Sequence, residues 1–489
     1  MNKPAVGQTI SLNIHGLGSS GEGVGAIDGF TVFVDGALPG EMVEAKVVQS
    51  HKRYGSARLL SIIKPSPDRV TPLCKLFGQC GGCQIMHLSY SKQLEIKRQK
   101  VVEALIRIGK ISGCEVAPCM ASPSSFFYRN KIQVPVRAGK NGVQIGLYAR
   151  SSHDLVEMDT CAIHCPLGDQ IYQKIKDSVK YFNILPYDPA TKEGELRHLL
   201  IKTAVHTGEV LVIFVTNQKK SPLLSKIAKA VMACSSVIKG VIHNLHRGED
   251  NIILGSIYQT LEGASFIQES LCGLRFKVSP ASFFQVNVDQ AEFLYLKALE
   301  YAEIEGDETV LDAYCGVGTL SLLFAKSAKK VIGVECVVEA IEDALENRRL
   351  NSIDNAEFVC ASAESFIASL YQVRSQTENV DPAKAQKIDD PRKLSRRFKS
   401  PCMAESGLSS VDVILLNPPR KGCELLFLEG IGRLQPKRLV YISCDPATLA
   451  RDLAHLIRFG YRLDAIQPFD MFPQTAHVEC VAKLTYCPT

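Results

Sequence analysis

The 489-residue chain contains no uninterrupted apolar run near the ~18 residues that a membrane span requires, and its opening stretch, MNKPAVGQTISLNIHG, lacks the apolar core of a signal peptide. A cytoplasmic protein without a membrane partner is therefore expected. Thiols stay reduced in that compartment, so the seventeen cysteines do not read as a disulfide framework, and clustered ones point to a metal site or to catalysis. No internal repeat is found. Acidic residues are scarce in one region: residues 51–150 carry 17 Lys+Arg against 4 Asp+Glu, a local +13 in a chain of net charge +5, which leaves −8 elsewhere. A solvated helix face around Lys92 to Lys110 explains part of this excess. The rest is the footprint expected for a nucleic acid.

The length exceeds a single ordinary core, so two to three domains are expected. Residues 1–66 read as short strands with glycine-rich turns, the pattern of a small OB-like β-barrel. Residues 67–275 mix strands such as KIQVPVR and EVLVIFVT with helical stretches, forming an α/β central domain. From 276 to 489, strands (TVLDAYC, KKVIGVE, AEFVCA, VDVILLN, RLVYISC) alternate with helices, which predicts a Rossmann-like α/β domain with a parallel sheet. Residues 371–410 are polar and charged with little periodicity, and read as a long surface insertion or disordered loop.

In VLDAYCGVGTLSLLFA, Asp312 ends a strand, Gly316 and Gly318 form a tight turn, and a helix follows, which lets the backbone approach a ligand at the sheet's carboxyl edge. Glu335 ends the next strand, where a carboxylate bonds a ribose diol. The third glycine of the dinucleotide fingerprint is missing, with Ser321 in its place. The resulting D-x-x-x-G-x-G form resembles motif I of S-adenosylmethionine-dependent methyltransferases rather than a nicotinamide enzyme. NPPRKG, starting at Asn417, carries Arg420 where amino-group methyltransferases carry an aromatic residue.

Cys444, in YISCDPATLARD, falls between an apolar strand and a helix capped by Asp445 with Pro446 at its first position. A helix N-terminus is expected to lower the thiol's pKa there. Methylating C5 of uracil calls for such a group: a thiolate adding to C6 makes C5 nucleophilic, and a base must later remove the C5 proton. In DMFPQTAHVE, Glu479 is the candidate base. The bland alternatives are a buried small thiol and a solvated carboxylate. Cys74, Cys80 and Cys83, spaced C-x5-C-x2-C, suggest an iron–sulfur cluster or zinc and need a fourth ligand; the C-x3-C-x2-C of radical enzymes is absent.

VSPASFFQVN, LDAYCGVGTLSL, NPPRKG, VYISCDPATLARDL and DMFPQTAHVE, in that order, resemble the RNA uracil-C5 methyltransferases over nearly the whole chain, and most closely those that modify 23S rRNA. The resemblance implies Cys444 as nucleophile and Glu479 as base. It implies S-adenosylmethionine contacts at Gln285, Tyr314, Thr319, Glu335, Ser362 and Asn417. It also implies a 4Fe-4S cluster on Cys74, Cys80, Cys83 and Cys161, with Cys165 a rival fourth ligand. GEGVGAIDGFTVFVDGALPGE is similar to the TRAM domain of RNA-modifying proteins. The chain departs from the family at Asp445 (SCDP for SCNP), at Asn417 (NPPR for DPPR) and at Ser362. A monomer that flips a uridine of structured RNA into its pocket is expected. The same methylation of tRNA is an alternative, as is a catalytically weak RNA-binding or assembly factor.

Overall fold

The computed structural model describes residues 3–139, 142–219, 221–248, 252–377 and 410–488. Five strands close into a barrel in the order β1-β2-β3-β5-β4: β1 (Thr9–Leu17), β2 (Gly23–Ile27), β3 (Phe30–Asp35), β4 (Met42–Ser50) and β5 (Tyr54–Lys64). Alternation fixes the inside: Ile10, Leu12, Val32, Val34, Val43, Ala45 and Val47 fill the interior, and the residues between them face out. The cysteine-bearing loop then leads into α1 (Tyr90–Ala104), whose last turn widens into a π turn over Leu105–Gly109.

A seven-stranded sheet forms the middle of the chain from β6 (Lys131–Gly139), β7 (Gly142–Tyr148), β8 (Leu155–Glu157), β9 (Leu196–Ala204), β10 (Glu209–Thr216), β11 (Ile238–Leu245) and β12 (Ile257–Gly263). Only β10 and β11 pair in parallel among its described neighbours. Helices α2 (Pro166–Phe182) and α3 (Pro222–Cys234) cover one face, burying Ile171, Ile175, Val179, Leu224 and Ile227 against it.

The hairpin of β13 (Ile267–Leu271) and β14 (Leu274–Val278) leads into α4 (Val288–Ala302) and a second seven-stranded sheet. Its parallel part comprises β15 (Thr309–Asp312), β16 (Lys330–Glu335), β17 (Ala356–Cys360), β18 (Val413–Leu416) and β19 (Arg438–Ser443), alternating with α5 (Thr319–Ala325), α6 (Val338–Leu350), α7 (Ala363–Thr377), α8 (Leu425–Leu434) and α9 (Pro446–Arg458). The last two strands, β20 (Tyr461–Phe469) and β21 (Glu479–Tyr486), pair antiparallel, and β21 lies beside β19. The order β17-β16-β15-β18-β19-β21-β20 puts the switch of direction between β15 and β18, where ligands of such sheets bind.

Two local expectations are revised. Helix α7 runs through 371–377, the start of the stretch read as an insertion; residues 378–409 of that stretch lie outside the described residues. The segment around α1 does not pack solely with the middle of the chain. Val101, Ala104, Leu105, Val116 and Cys119 join the core built on Leu311, Ile414, Tyr441, Leu449 and Ile466.

Candidate active site

The glycine loop follows β15. Gly318 has φ 83°, and a Cβ there would stand 2.9 Å from the Phe358 ring, so only glycine lets the loop close over β17. Beneath the loop, Ser321 Oγ donates to Asp312 Oδ2 at 2.6 Å, which is the local use of the serine that replaces a third glycine. Asp312 is fully buried, and its Oδ1 has no partner. Burial pushes its carboxyl up to about 6, against the hydrogen bonds from Ser321 and the loop. Glu335 Oε1 accepts from the N–H groups of Cys336 and Val337 at 2.7 and 3.0 Å, and Oε2 accepts from Gly316 N–H at 3.3 Å. Its carboxylate is thereby fixed at the end of β16.

Gln285 and Thr319 meet at one hydroxyl. Tyr295 of α4 lies 3.3 Å from Thr319 Oγ1 and within hydrogen-bonding reach of Gln285, and it feels the charges of both Asp312 and Glu479. The glycine loop and the carboxylates of Asp312 and Glu479 are thus brought near one side chain of α4. Asn417 is half-buried at the end of β18, beside β15. Two further candidates already have partners of their own. Ser362 Oγ accepts from Ser365 N–H at 3.1 Å at the start of α7, and Tyr314 turns its hydroxyl to Cys423 while its ring meets the edge of Phe427.

Cys444 follows β19 directly, and Asp445 caps α9 as expected, accepting from the N–H groups of Ala447 and Thr448 at 2.8 and 3.2 Å with Pro446 at the first position. The thiol's pKa moves opposite to expectation. Burial raises it, the Glu479 carboxylate adds to the rise, and Arg420 opposes both. Desolvation and a neighbouring anion outweigh the helix N-terminus. Glu479 begins β21 and is not a solvated edge residue: it is 6 % exposed, and its Oε2 has no partner. Burial lifts its carboxyl to about 7, with Arg420 pulling it down. His477 is held down to about 4 by burial and then by the cations Arg420, Lys100 and Lys97, so it stands neutral at pH 7.

Arg420 is the group that sequence reasoning undervalued. Its positive charge acts on Cys444, Glu479 and His477 alike, lowering the pKa of each. NPPRKG carried the signal, but there the arginine served only to argue against an aromatic residue.

The cysteines also sort themselves. Burial raises the Cys83 thiol, and the charges of Cys161, Cys80 and Cys74 raise it further. Cys74, Cys83 and Cys161 share one small apolar cluster with Met86, Tyr128 and Ile163. Cys165 instead precedes α2 as its cap residue and faces Thr203. Every cysteine among the described residues is a free thiol, and no three His, Cys, Asp or Glu side chains among those residues close to the geometry of a single bound ion.

Comparison with known proteins places the chain among RNA-modifying enzymes. Residues 4–60 match the TRAM domain, and residues 264–383 and 385–486 match the family described as tRNA (uracil-5-)-methyltransferase. The chain is 40% identical over 98% of its length to an uncharacterized RNA methyltransferase of Clostridium tetani, covering 96% of that protein. It is 39% identical over 98% to one from Listeria monocytogenes, covering 97% of it. Among solved structures, it is similar to the Pyrococcus abyssi tRNA (uracil-54, C5)-methyltransferase in complex with S-adenosyl-L-homocysteine, with TM-score 0.71, 28% identity and coverage of 97% and 99% of the two chains. The chain belongs to the RNA uracil-5-methyltransferase family and is an S-adenosylmethionine-dependent enzyme with an N-terminal TRAM domain.

Proposed function

We propose that the enzyme methylates C5 of a uridine in 23S rRNA through a covalent adduct at Cys444. The strand register carries this reading: Ser443 at the end of β19 pairs with Cys480 of β21, which brings Cys444 and Glu479 to the same carboxyl edge of the sheet, where their charges act on each other. When bound, S-adenosylmethionine supplies an electrophilic methyl group. Glu335 would hold its ribose, with Gln285, Tyr314, Thr319, Ser362 and Asn417 around the rest and Asp312 contributing negative potential toward the sulfonium. Asn417 can still accept a hydrogen bond through its carbonyl oxygen.

Cys444, as its thiolate, bonds through sulfur to C6 of the flipped uracil, and the electron pair moves to C5, which takes the methyl group from the donor, breaking its S–CH3 bond and leaving a neutral thioether. Glu479 removes the remaining C5 proton, the C6–S bond breaks, and the thiolate leaves. Arg420 favours both anions. A carboxyl near 7 is suited to the last step because it is partly ionised at neutral pH and able to release the proton it has taken.

The C-x5-C-x2-C spacing and the gathering of Cys74, Cys83 and Cys161 in one apolar cluster support a 4Fe-4S cluster, which takes one thiolate at each iron corner. Cys74, Cys80, Cys83 and Cys161 would hold it. Its place beneath α1 suits it to supporting the RNA-binding surface of a cytoplasmic monomer.

Methylation of tRNA is the second reading, favoured by the similarity to the Pyrococcus abyssi tRNA (uracil-54, C5)-methyltransferase. Incubation with labelled cofactor and either purified 23S rRNA or tRNA separates the two, since rRNA alone should be labelled. Cys444→Ala should abolish both turnover and the adduct with 5-fluorouridine RNA. Persistence of either removes the nucleophile assignment.

A further inference from the structure

Residues 470–476, which lead into Glu479, are held by side chains and backbone from the first third of the chain. Lys97 of α1 and Asp470 form an ion pair at 2.5 Å, with side chains 1% and 0% exposed. Lys97 Nζ also donates to Phe472 carbonyl oxygen at 3.1 Å. Gln93, one turn earlier, makes a reciprocal pair with Gln474: its Oε1 accepts from Gln474 N–H at 3.1 Å, and its Nε2 donates to Gln474 Oε1 at 3.0 Å. Tyr128 hydroxyl donates to Pro473 carbonyl oxygen at 3.0 Å. The N–H groups of Gln84 and Ile85, just after Cys83, both donate to Gln474 carbonyl oxygen at 3.1 Å. Lys100 Nζ donates to Ala476 carbonyl oxygen at 3.0 Å and to Ser19 carbonyl oxygen in the barrel at 3.3 Å.

This concentration of buried polar bonds is costly unless every partner is present, and it fixes one conformation. Gln474 has φ 70°, a left-handed conformation that a non-glycine residue adopts only when its surroundings enforce it. The loop has little internal structure of its own beyond the turn closed by Thr475 Oγ1 on Phe472 carbonyl oxygen at 2.7 Å.

We propose that Lys97, Gln93 and Lys100 are positioning residues that set where Glu479 stands relative to C5, so that α1 governs the proton-removal step and not methyl transfer. This rests on Glu479 as the base and deepens it. Helix α1 also packs through Val101 and Ala104 against the core that includes Tyr441 of β19 and Leu449 of α9. The hydrogen bonds of Lys97, Gln93 and Lys100, however, run to residues 470–476. Replacing these polar groups therefore disturbs the loop before Glu479 and leaves the seat of Cys444, and with it adduct formation and methyl transfer, in place. Displacing the loop then leaves a methylated uridine bound to the enzyme.

The test uses the full-length protein purified anaerobically and RNA bearing the target uridine. Lys97→Met alone strands Asp470 as a buried charge, so the variant is Lys97→Met with Asp470→Leu, an apolar pair in place of an ionic one. Single-turnover methyl transfer should stay within about twofold, multiple turnover should fall by about tenfold or more, and methylated RNA should accumulate in a complex that survives denaturant. Lys100→Met, which leaves the buried pair intact, should accumulate the same complex to a smaller extent. Normal turnover without the complex in both variants overturns the proposal, as does an equal loss of methyl transfer and turnover. Glu479→Gln separates this from the underlying assignment: if it releases RNA at the normal rate, the base is wrong, whereas a trapped complex there and none in the α1 variants refutes the positioning role alone.

Discussion

Glu479, the base in the proposed mechanism, shows how a buried carboxyl is set against stability at a single residue. Its carboxyl, lifted to about 7 from an ordinary 4.5, holds its proton in the folded protein over a range where the unfolded chain has lost it. Between those values the folded state binds more protons than the unfolded one, so this group's contribution to stability falls as pH rises from 4.5 to 7. Above 7 the full penalty is present, about 3 kcal/mol by the conversion of ~1.4 kcal/mol per pKa unit. Glu479→Gln removes the charge and nearly keeps the shape. It should therefore be more stable than the parent at pH 8 by about 1–3 kcal/mol in denaturant titrations, and the difference should vanish near pH 4. A variant no more stable at pH 8 than at pH 4 contradicts the raised carboxyl. The sequence made the residue type visible at this position but not its burial, because the loop that leads into β21 is held by residues more than 370 positions away.

At the scale of the element, the parts written in local sequence were legible and the parts set by distant contacts were not. Asp445-Pro446 announced α9, and the D-x-x-x-G-x-G run announced β15, its turn and α5. The direction of the Cys444 shift was not legible, because a cap is local and the opposing Glu479 lies on another strand. The choice between Cys161 and Cys165 was likewise open, since both sit in one short loop and only the fold turns them apart. That separation makes a prediction about the cysteine loop. Anaerobically purified protein should show broad visible absorbance with near-stoichiometric iron, which Cys83→Ser and Cys161→Ser should each bleach and Cys165→Ser should keep. Zinc without iron, or bleaching by Cys165→Ser alone, contradicts the assignment. Loss of the cluster should weaken RNA binding more than cofactor binding, because the thiols lie outside the glycine-loop pocket.

Across the whole molecule, the basic excess of residues 51–150 divides into two populations that composition could not distinguish. Arg69 forms an ion pair with buried Glu41 at 2.6 Å, Lys97 is buried against Asp470, and Arg150 pairs with Glu22 and Asp35 at 3.4 and 3.2 Å. Those cations bind the barrel and the catalytic loop to the body of the protein. Lys52, Arg53, Arg58 and Lys64 are exposed on and beside β5, in company with exposed Tyr54, Leu60 and Ile63. A cationic strand with accessible apolar and aromatic side chains suits a phosphate backbone with unstacked bases. If this face carries RNA, each lysine or arginine that touches a phosphate releases counterions, and affinity falls with salt in proportion to their number. Replacing all four by Gln should weaken RNA binding and flatten the slope of log affinity against log salt by about 3, at ~0.7 for each phosphate no longer neutralised. Cofactor affinity should not change, because the barrel does not line that pocket. The corresponding change at Arg69 should instead lower the melting temperature, since it leaves Glu41 buried without its cation. An unchanged salt slope in the fourfold variant would move the RNA to another face of the molecule.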